Sequence, residues 1–495
     1  MNHTKWISSF IFSGCLLVVL MGSKPAAATD CEQWVARAVS VQGNVQVQRV
    51  GVSTWENIKL EDRFCSGDMI RILEKSRAAL VLRNESVIRL DENTTITVKA
   101  EEKSRSLLLR LIKGAVHFFS RVPRSLKVAT PFVNCAVEAT EFFVRVEESR
   151  TYFSVFRGRV RTYNDSGELL LAGGQTAITT KDQAPSMITI ARPRDAVNWS
   201  LYYPSIGITE GPGTQKDLFS ASQSLQTGQV TEAQDLLTRM LNEDPGNSDA
   251  LALNAIIALT LHRKEDARAL AEKAVASNPK SSPAKLARAY VQQAFFNVED
   301  ARGTMQSAAA DNPENAFVWA RLSELWLATG YLDKALSAAK KAAALSPDIS
   351  RTQTVLGYAY ISQIKIKKAK EVFHKAIALD QADPLPRLGL GLALIRGGDL
   401  KAGRAQIEIA AGLAPGNALI RSYLGKAFYE EKKNDLAARQ YAVAKELDPN
   451  DPTPYFYDAI RKQSVNRPVE ALHGLQKSIE LNDNRAVYRS RLLLD

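Results

Sequence analysis

The sequence predicts two domains of different class, an N-terminal all-β domain followed by an all-α superhelical solenoid. Three observations carry this. Between Val35 and about Ile190, apolar and polar residues alternate at a period of two in short runs separated by turn signals. From Gly213 to about Asp483, prolines recur at a step of 34 residues or twice that: Pro245, Pro279, Pro313, Pro347, Pro415 and Pro449. Columns of small residues keep the same step. The expected organisation is a signal peptide at 1–28, the β domain at 35–192, a linker at 193–213, about eight repeats at 214–485, and the start of a capping or further helix at 486–495.

At the N-terminus Lys5 supplies positive charge, Trp6 to Gly22 an apolar core, and Pro25-Ala26-Ala27-Ala28 a small-residue site. This is the pattern of a secretory signal, with cleavage expected after Ala28 and retention as an anchor as the alternative. Cys15 is followed by more apolar residues, which argues against a lipoprotein site. Beyond Gly22 no apolar run approaches the roughly 20 residues that a membrane-crossing helix needs. The mature chain is therefore expected to be exported, periplasmic or associated with a bacterial cell envelope, without a transmembrane span.

Export permits disulfides, and Cys31, Cys65 and Cys135 remain after cleavage. All three pairings are open. Cys31 with Cys65 is the expected one, tying the entry segment to a turn and adding roughly 3–4 kcal/mol on the chain-entropy model.

The 495-residue chain is 24% charged and 45% hydrophobic, the make-up of a globular protein of two or more domains. Losing Lys5 and Lys24 with the leader lowers the net charge from +11 to about +9. That mild excess, with no run of five like charges, fits solvation or contact with anionic envelope components, and nucleic acid is not an expected partner.

In the β region Val39, Val41, Val45 and Val47 alternate around Gly43. Further runs are Met69 to Leu73, Ala78 to Leu82, Val87 to Leu90, Ile96 to Val98, Ala115 to Phe119, Leu126 to Thr130, Glu141 to Val146, Tyr152 to Tyr163 and Leu169 to Leu171. Gly43, Gly67, Gly114, Gly158 and Gly174 are expected at turns or bulges, where positive φ favours glycine.

Several phrases here resemble the FecR domain. They are Val41-Gln42-Gly43-Asn44-Val45, Gly67-Asp68-Met69-Ile70, Lys113-Gly114-Ala115-Val116, Val128-Ala129-Thr130-Pro131, Val137 to Val144, Arg157-Gly158-Arg159-Val160 and Gly173-Gly174-Gln175. Ala139 stands where the family commonly has glycine. The resemblance implies an envelope partner such as an outer-membrane receptor or another signalling protein. The regulator that names the family carries a cytoplasmic segment and a membrane helix ahead of this module. Only a signal peptide is expected here, so direct control of a sigma factor is not implied.

The linker holds Trp199, Tyr202, Tyr203 and Pro204, expected to pack against one domain. In the repeats, Ala233, Ala267, Ala301, Ala335, Ala369, Gly403, Ala437 and Ala471 form one small column. Met240, Ala274, Ala308, Ala342, Ala376, Ala410, Ala444 and Ser478 form a second. Small side chains let two helices cross closely, and proline stops the second, so each period reads as a helical hairpin. Trp319, Leu322, Trp326, Gly330 and Ala335, or Leu356, Gly357, Tyr360, Ala369, Phe373 and Ala376, resemble the tetratricopeptide repeat over about 270 residues.

No catalytic, cofactor or metal constellation is present in the motifs. HExxH, CxxC, GxSxG and the P-loop are missing, and Gly389-Leu390-Gly391 lacks the third glycine of a dinucleotide loop. The histidines, His3, His117, His262, His374 and His473, are isolated. The chain is therefore expected not to be an enzyme and to need no cofactor.

What remains is surface. In the usual repeat geometry the first helices line a concave groove, presenting Tyr290, Glu324, Arg351, Tyr358, Leu388, Leu392, Lys426 and Tyr429 to a protein or peptide partner. The expected function is a scaffold or adaptor. The alternative is a glycan-binding or polysaccharide-export accessory using Trp55, Phe118, Phe119, Phe142 and Phe143, though neighbours on a strand face opposite ways and one of each Phe pair should be core.

Overall fold

The computed structural model describes residues 33–101, 106–119, 126–138, 141–211 and 215–481. The signal segment, Cys31, Ala139 and the last ten residues lie outside them.

Strands from Ala36–Gln42 to Ser186–Ile188 build two packed layers. The first layer runs Ala36–Gln42, Arg77–Leu82, Val87–Leu90, the second half of Leu107–Phe119, Glu141–Val146, Arg150–Arg157 and Thr176–Thr180. The second runs Val45–Gln48, Met69–Ile72, Thr95–Ala100, the first half of Leu107–Phe119, Leu126–Ala129, Asn134–Val137, Arg159–Asn164 and Gly167–Ala172. Pairing is antiparallel except where Leu126–Ala129 runs parallel to Leu107–Arg110. The layers enclose Leu80, Leu82, Ile88, Leu90, Ile96, Leu109, Phe118, Phe142 and Val155.

One long strand belongs to both layers. Leu107–Phe119 is 13 residues, longer than the expected run from Ala115, its first half burying Leu107, Leu109 and Leu111. It changes layers at Gly114, where φ is +90° and a Cβ would stand 2.4 Å from the Thr94 Cα. Only glycine fits there. The run expected at Tyr152 to Tyr163 divides at Gly158, φ +87°, so that its halves join different layers.

Among the described residues sixteen α-helices form eight hairpins, from Lys216–Gln226 with Val230–Glu243 to Thr453–Ser464 with Pro468–Leu481. Each ladder proline stands two residues past a helix end, as Pro279 does after Ser277 and Pro449 after Leu447. Both small columns are buried throughout. Five of the eight first helices begin on side-chain caps; Asn247 accepts from Ala250 N, Ser281 from Ala284 N and Asn417 from Ile420 N, each at 3.0 Å.

The two domains are packed together. Val39 and Ala79, on the outer face of the first layer, join Ile409 and Leu413 of the helix Leu400–Leu413 in one apolar cluster. Val39 reaches it because the ladder between Ala36–Gln42 and Arg77–Leu82 shifts register between Ala38 and Ser40. Buried arginines complete the junction by donating to backbone carbonyls: Arg89 to Leu413, Arg387 to Val39 (3.0 Å), and Arg77 to Trp199 (2.7 Å). Gln381, which interrupts the proline ladder, accepts a hydrogen bond from Val41 N at 2.8 Å. The solenoid also meets itself, since Lys264 of the second hairpin pairs with Asp448 at 3.0 Å and His262 packs on Gly416.

Candidate functional site

Tyr290, Glu324, Tyr358, Leu392 and Lys426 stand 34 residues apart, at one position of five successive first helices, so the repeat phase alone sets them in one column. At the head of this column Glu324 accepts from Arg351 (2.6 Å) and Arg321 (2.7 Å). Arg351 also donates to the Tyr290 hydroxyl at 3.1 Å, and the Arg321 guanidinium lies 4.0 Å over the Tyr290 ring. Burial disfavours the Arg351 charge, but Glu324, Tyr290 and Asp383 outweigh it and raise its pKa above the ordinary value. Asp383 caps the next first helix through Leu385 N (2.9 Å); burial pushes its carboxyl up, with Arg351 opposing.

The chain's own linker occupies this part of the groove. Tyr202, Pro204, Ser205 and Ile208 border a cleft of about 260 Å³ together with Tyr290, Phe317 and Arg351. Tyr202, a neutral phenol whose pKa burial raises, donates to Asp380 at 3.4 Å. Gly207, at φ +80°, passes so close to Phe317 that a Cβ would lie 3.0 Å from its ring. The linker thus packs on both domains rather than one: its 3₁₀ helix Pro193–Ser200 places Val197 on Ala115 and Phe143, and Tyr203 and Ile206 enter the solenoid core.

The expected groove residues therefore fall into three sets. Tyr290, Glu324 and Arg351 form the network around the linker. Tyr358 donates to Leu385 O at 2.9 Å and stands edge-on to Phe373, and Leu388 is core, so both pack hairpins together. Leu392, Lys426 and Tyr429 are half-buried; Leu392 and Tyr429 pack against the core of the later hairpins, burial lowers the Lys426 pKa, and its ammonium lies 5.4 Å over Tyr457. Tyr202, Asp380, Asp383 and Arg321 were not singled out by periodicity, since a linker residue and a loop carboxylate belong to no column.

Residues 68–161 match the family FecR protein, and residues 224–293 and 388–452 match two tetratricopeptide repeat families. The chain is a FecR domain followed by tetratricopeptide repeats. No curated protein matches it. Among solved structures, the APC/C hetero-tetramer Cut9-Hcn1 is 21% identical over 56% of this chain, which spans about half (54%) of that one, with a TM-score of 0.45. A thermophilic TPR protein from Thermus thermophilus is 24% identical, over 37% of this chain and 99% of its own, with a TM-score of 0.33. A proposed anti-sigma factor from Parabacteroides distasonis is 17% identical, over 28% of this chain and 67% of its own, with a TM-score of 0.25.

The outer face of the FecR layer is covered, which removes the aromatic platforms of the glycan alternative. Phe118 and Phe142 stack in the core at 4.4 Å, while Phe119 and Phe143, 6% and 2% exposed, lie beneath the solenoid and the linker. Trp55 is half-buried under the Arg71 guanidinium, 3.9 Å above its ring. The expectation that one of each Phe pair faces outward holds for the strand but not for the molecule.

On the same face His117 bridges Ser200 (3.1 Å) and Glu141 (3.3 Å), and Arg194 pairs with Glu141 at 2.9 Å. Burial holds His117 below its ordinary pKa. It would also raise Glu141, but the His117 hydrogen bond and Arg194 prevail and bring that carboxyl to about 2. With His117 neutral, Arg194 is the charge that Glu141 answers. Cys65 is disulfide-bonded and Cys135 is free and buried; the expected partner of Cys65, Cys31, lies outside the described residues.

Proposed function

We propose that this protein is a non-catalytic adaptor of the bacterial periplasm or envelope. Its TPR groove holds a protein or peptide partner, and its FecR domain engages an envelope or signalling component such as an outer-membrane receptor. The repeat and FecR families support an interaction role. The observation that carries the reading is the phased column on the first helices, whose last members Leu392 and Lys426, with Tyr429 one turn further on, combine apolar contact, a cation and a phenol. That mixture suits an extended or helical peptide with an acidic side chain.

The head of the groove is filled by the linker, so a partner would dock from Leu392 onward, or displace Tyr202 to extend further. A photo-crosslinking residue at Tyr429 tests this, compared with one at Tyr331, which is 47% exposed. In envelope extract the first position should capture a discrete protein that the second does not, and Leu392→Ala with Lys426→Ala should abolish it. Equal labelling at both positions would refute the groove reading.

A further inference from the structure

Between the FecR layer and the last third of the solenoid lies a cleft of about 400 Å³, within the size range of small-molecule sites. Its walls are Val87 and Phe119 on the sheet side and Phe428, Leu436 and Val443 on the helices. At one wall stands Arg421, whose guanidinium carbon lies 5.5 Å from the Phe119 ring centre. Among the described residues its hydrogen bonds run only to neutral acceptors at the edge of bonding range, Pro415 O and Gln440 Oε1, both at 3.4 Å.

The carboxylates around the cleft are engaged elsewhere. Glu141 is held by Arg194 and His117, Glu446 by Arg157, and Glu408 and Glu85 by Arg404 at 2.6 and 3.3 Å. Arg421 has no ion-pair partner among the described residues, and burial lowers its pKa to about 10, a sign that its charge is poorly compensated. Three more cations line the cleft: Arg157, held by Glu446, Lys433, held by Glu431, and the exposed Arg439. A desolvated guanidinium beside apolar walls is complementary to an anionic head on an apolar tail.

We propose that this interdomain cleft binds a single-chain carboxylic amphiphile of the fatty-acid class, its carboxylate on Arg421 and its chain along Phe119, Phe428, Leu436 and Val443. Gly412 closes the cleft at the sheet, since a Cβ there would stand 2.5 Å from Val87. A volume of about 400 Å³ suits one chain rather than a two-chain lipid. The site is independent of the groove and would let an envelope metabolite stabilise the docked arrangement of the domains.

Isothermal titration of the full mature chain with dodecanoate, and with dodecanol as the neutral twin, provides the test. Dodecanoate should bind saturably at one site, at least tenfold tighter than dodecanol. Arg421→Gln should weaken dodecanoate at least tenfold and leave dodecanol unchanged. Val443→Trp, which fills the cleft without touching the cation, should abolish binding of both. Thermal melts matched to the parent guard against unfolding, and Arg421→Lys, which keeps the charge, should retain most of the affinity if Arg421→Gln does not fold. Absence of saturable dodecanoate binding, or equal affinity for the alcohol, overturns the proposal.

Discussion

Glu141 ties the stability of the fold to the acid side of the pH scale. Its folded pKa, about 2, lies below the ordinary 4.5, so the stability it contributes is complete above pH 4.5 and is lost as the pH falls toward 2. The shift corresponds to something on the order of 3 kcal/mol. His117 adds to the acid side in the same sense: held neutral in the fold, it costs stability as the pH drops through 6.5 and the unfolded state takes up the proton. Urea midpoints at pH 7, 5 and 3 should be compared between the parent and Glu141→Gln, because Asp383, its carboxyl pushed up to about 7 by burial, gains stability toward acid and opposes the fall. The midpoints should fall less for the variant, which starts lower because Arg194 loses its partner.

Gly114 makes a sharper prediction at the same scale. With φ at +90° and Thr94 backbone against the missing Cβ, Gly114→Ala should cost at least roughly 1–3 kcal/mol. The same change at Gly174, φ +87° with nothing near the Cβ, should cost less, and comparing the two melts separates backbone strain from crowding. Both glycines were legible as turn or bulge positions. The crowding at Gly114 was not, because Thr94 comes from another strand.

At the scale of the hairpin, Phe373 shows how the helices are spaced. The ring is fully buried beneath Gly357 of its own hairpin and Gly389 of the next; a Cβ on these would lie 2.5 and 2.2 Å from it. Alanine at a helical glycine ordinarily gains up to about 1 kcal/mol of helix propensity, so the sign of Gly389→Ala reports the packing. Overlap with a ring that has nowhere to go should win, at about 1–3 kcal/mol destabilising. Phe373→Leu should relieve it, so the double variant should be more stable than the sum of the singles, read from urea midpoints.

The repeat phase was legible at this scale because a hairpin writes its contacts every 34 residues. Short strands such as Asn134–Val137 and Thr176–Thr180 are missing from the expected runs, since four or five residues carry little periodicity and depend on neighbours for their pairing.

For the whole molecule the decisive feature is that the FecR sheet is covered on both faces. Arg89 is 3% and Arg387 2% exposed, and each donates to a carbonyl of the opposite domain. Truncating either leaves a buried acceptor unpaired at roughly 1–3 kcal/mol. Arg89→Ala with Arg387→Ala should therefore loosen the junction while sparing both cores. Calorimetry is expected to resolve separate transitions for the two domains in the variant, and small-angle scattering an increased radius of gyration, whereas the parent should melt with its domains coupled. A single unchanged transition would show that the apolar contact of Val39 and Ala79 with Ile409 and Leu413 suffices alone.

The succession of a β domain and a tandem of helical hairpins, together with the phased column on the first helices, is written in the chain alone. Those features repeat at periods of 2 and 34, and a period is a local property that any stretch of chain displays. What covers what is settled only on folding: Tyr202 lies in the groove the repeats build, Gln381 departs from the proline ladder to receive Val41, and Phe119 and Phe143 face another domain instead of solvent. These contacts join residues up to some 340 positions apart, where burial follows from shape and the need to pair polar groups away from water, and leaves no mark on the local pattern.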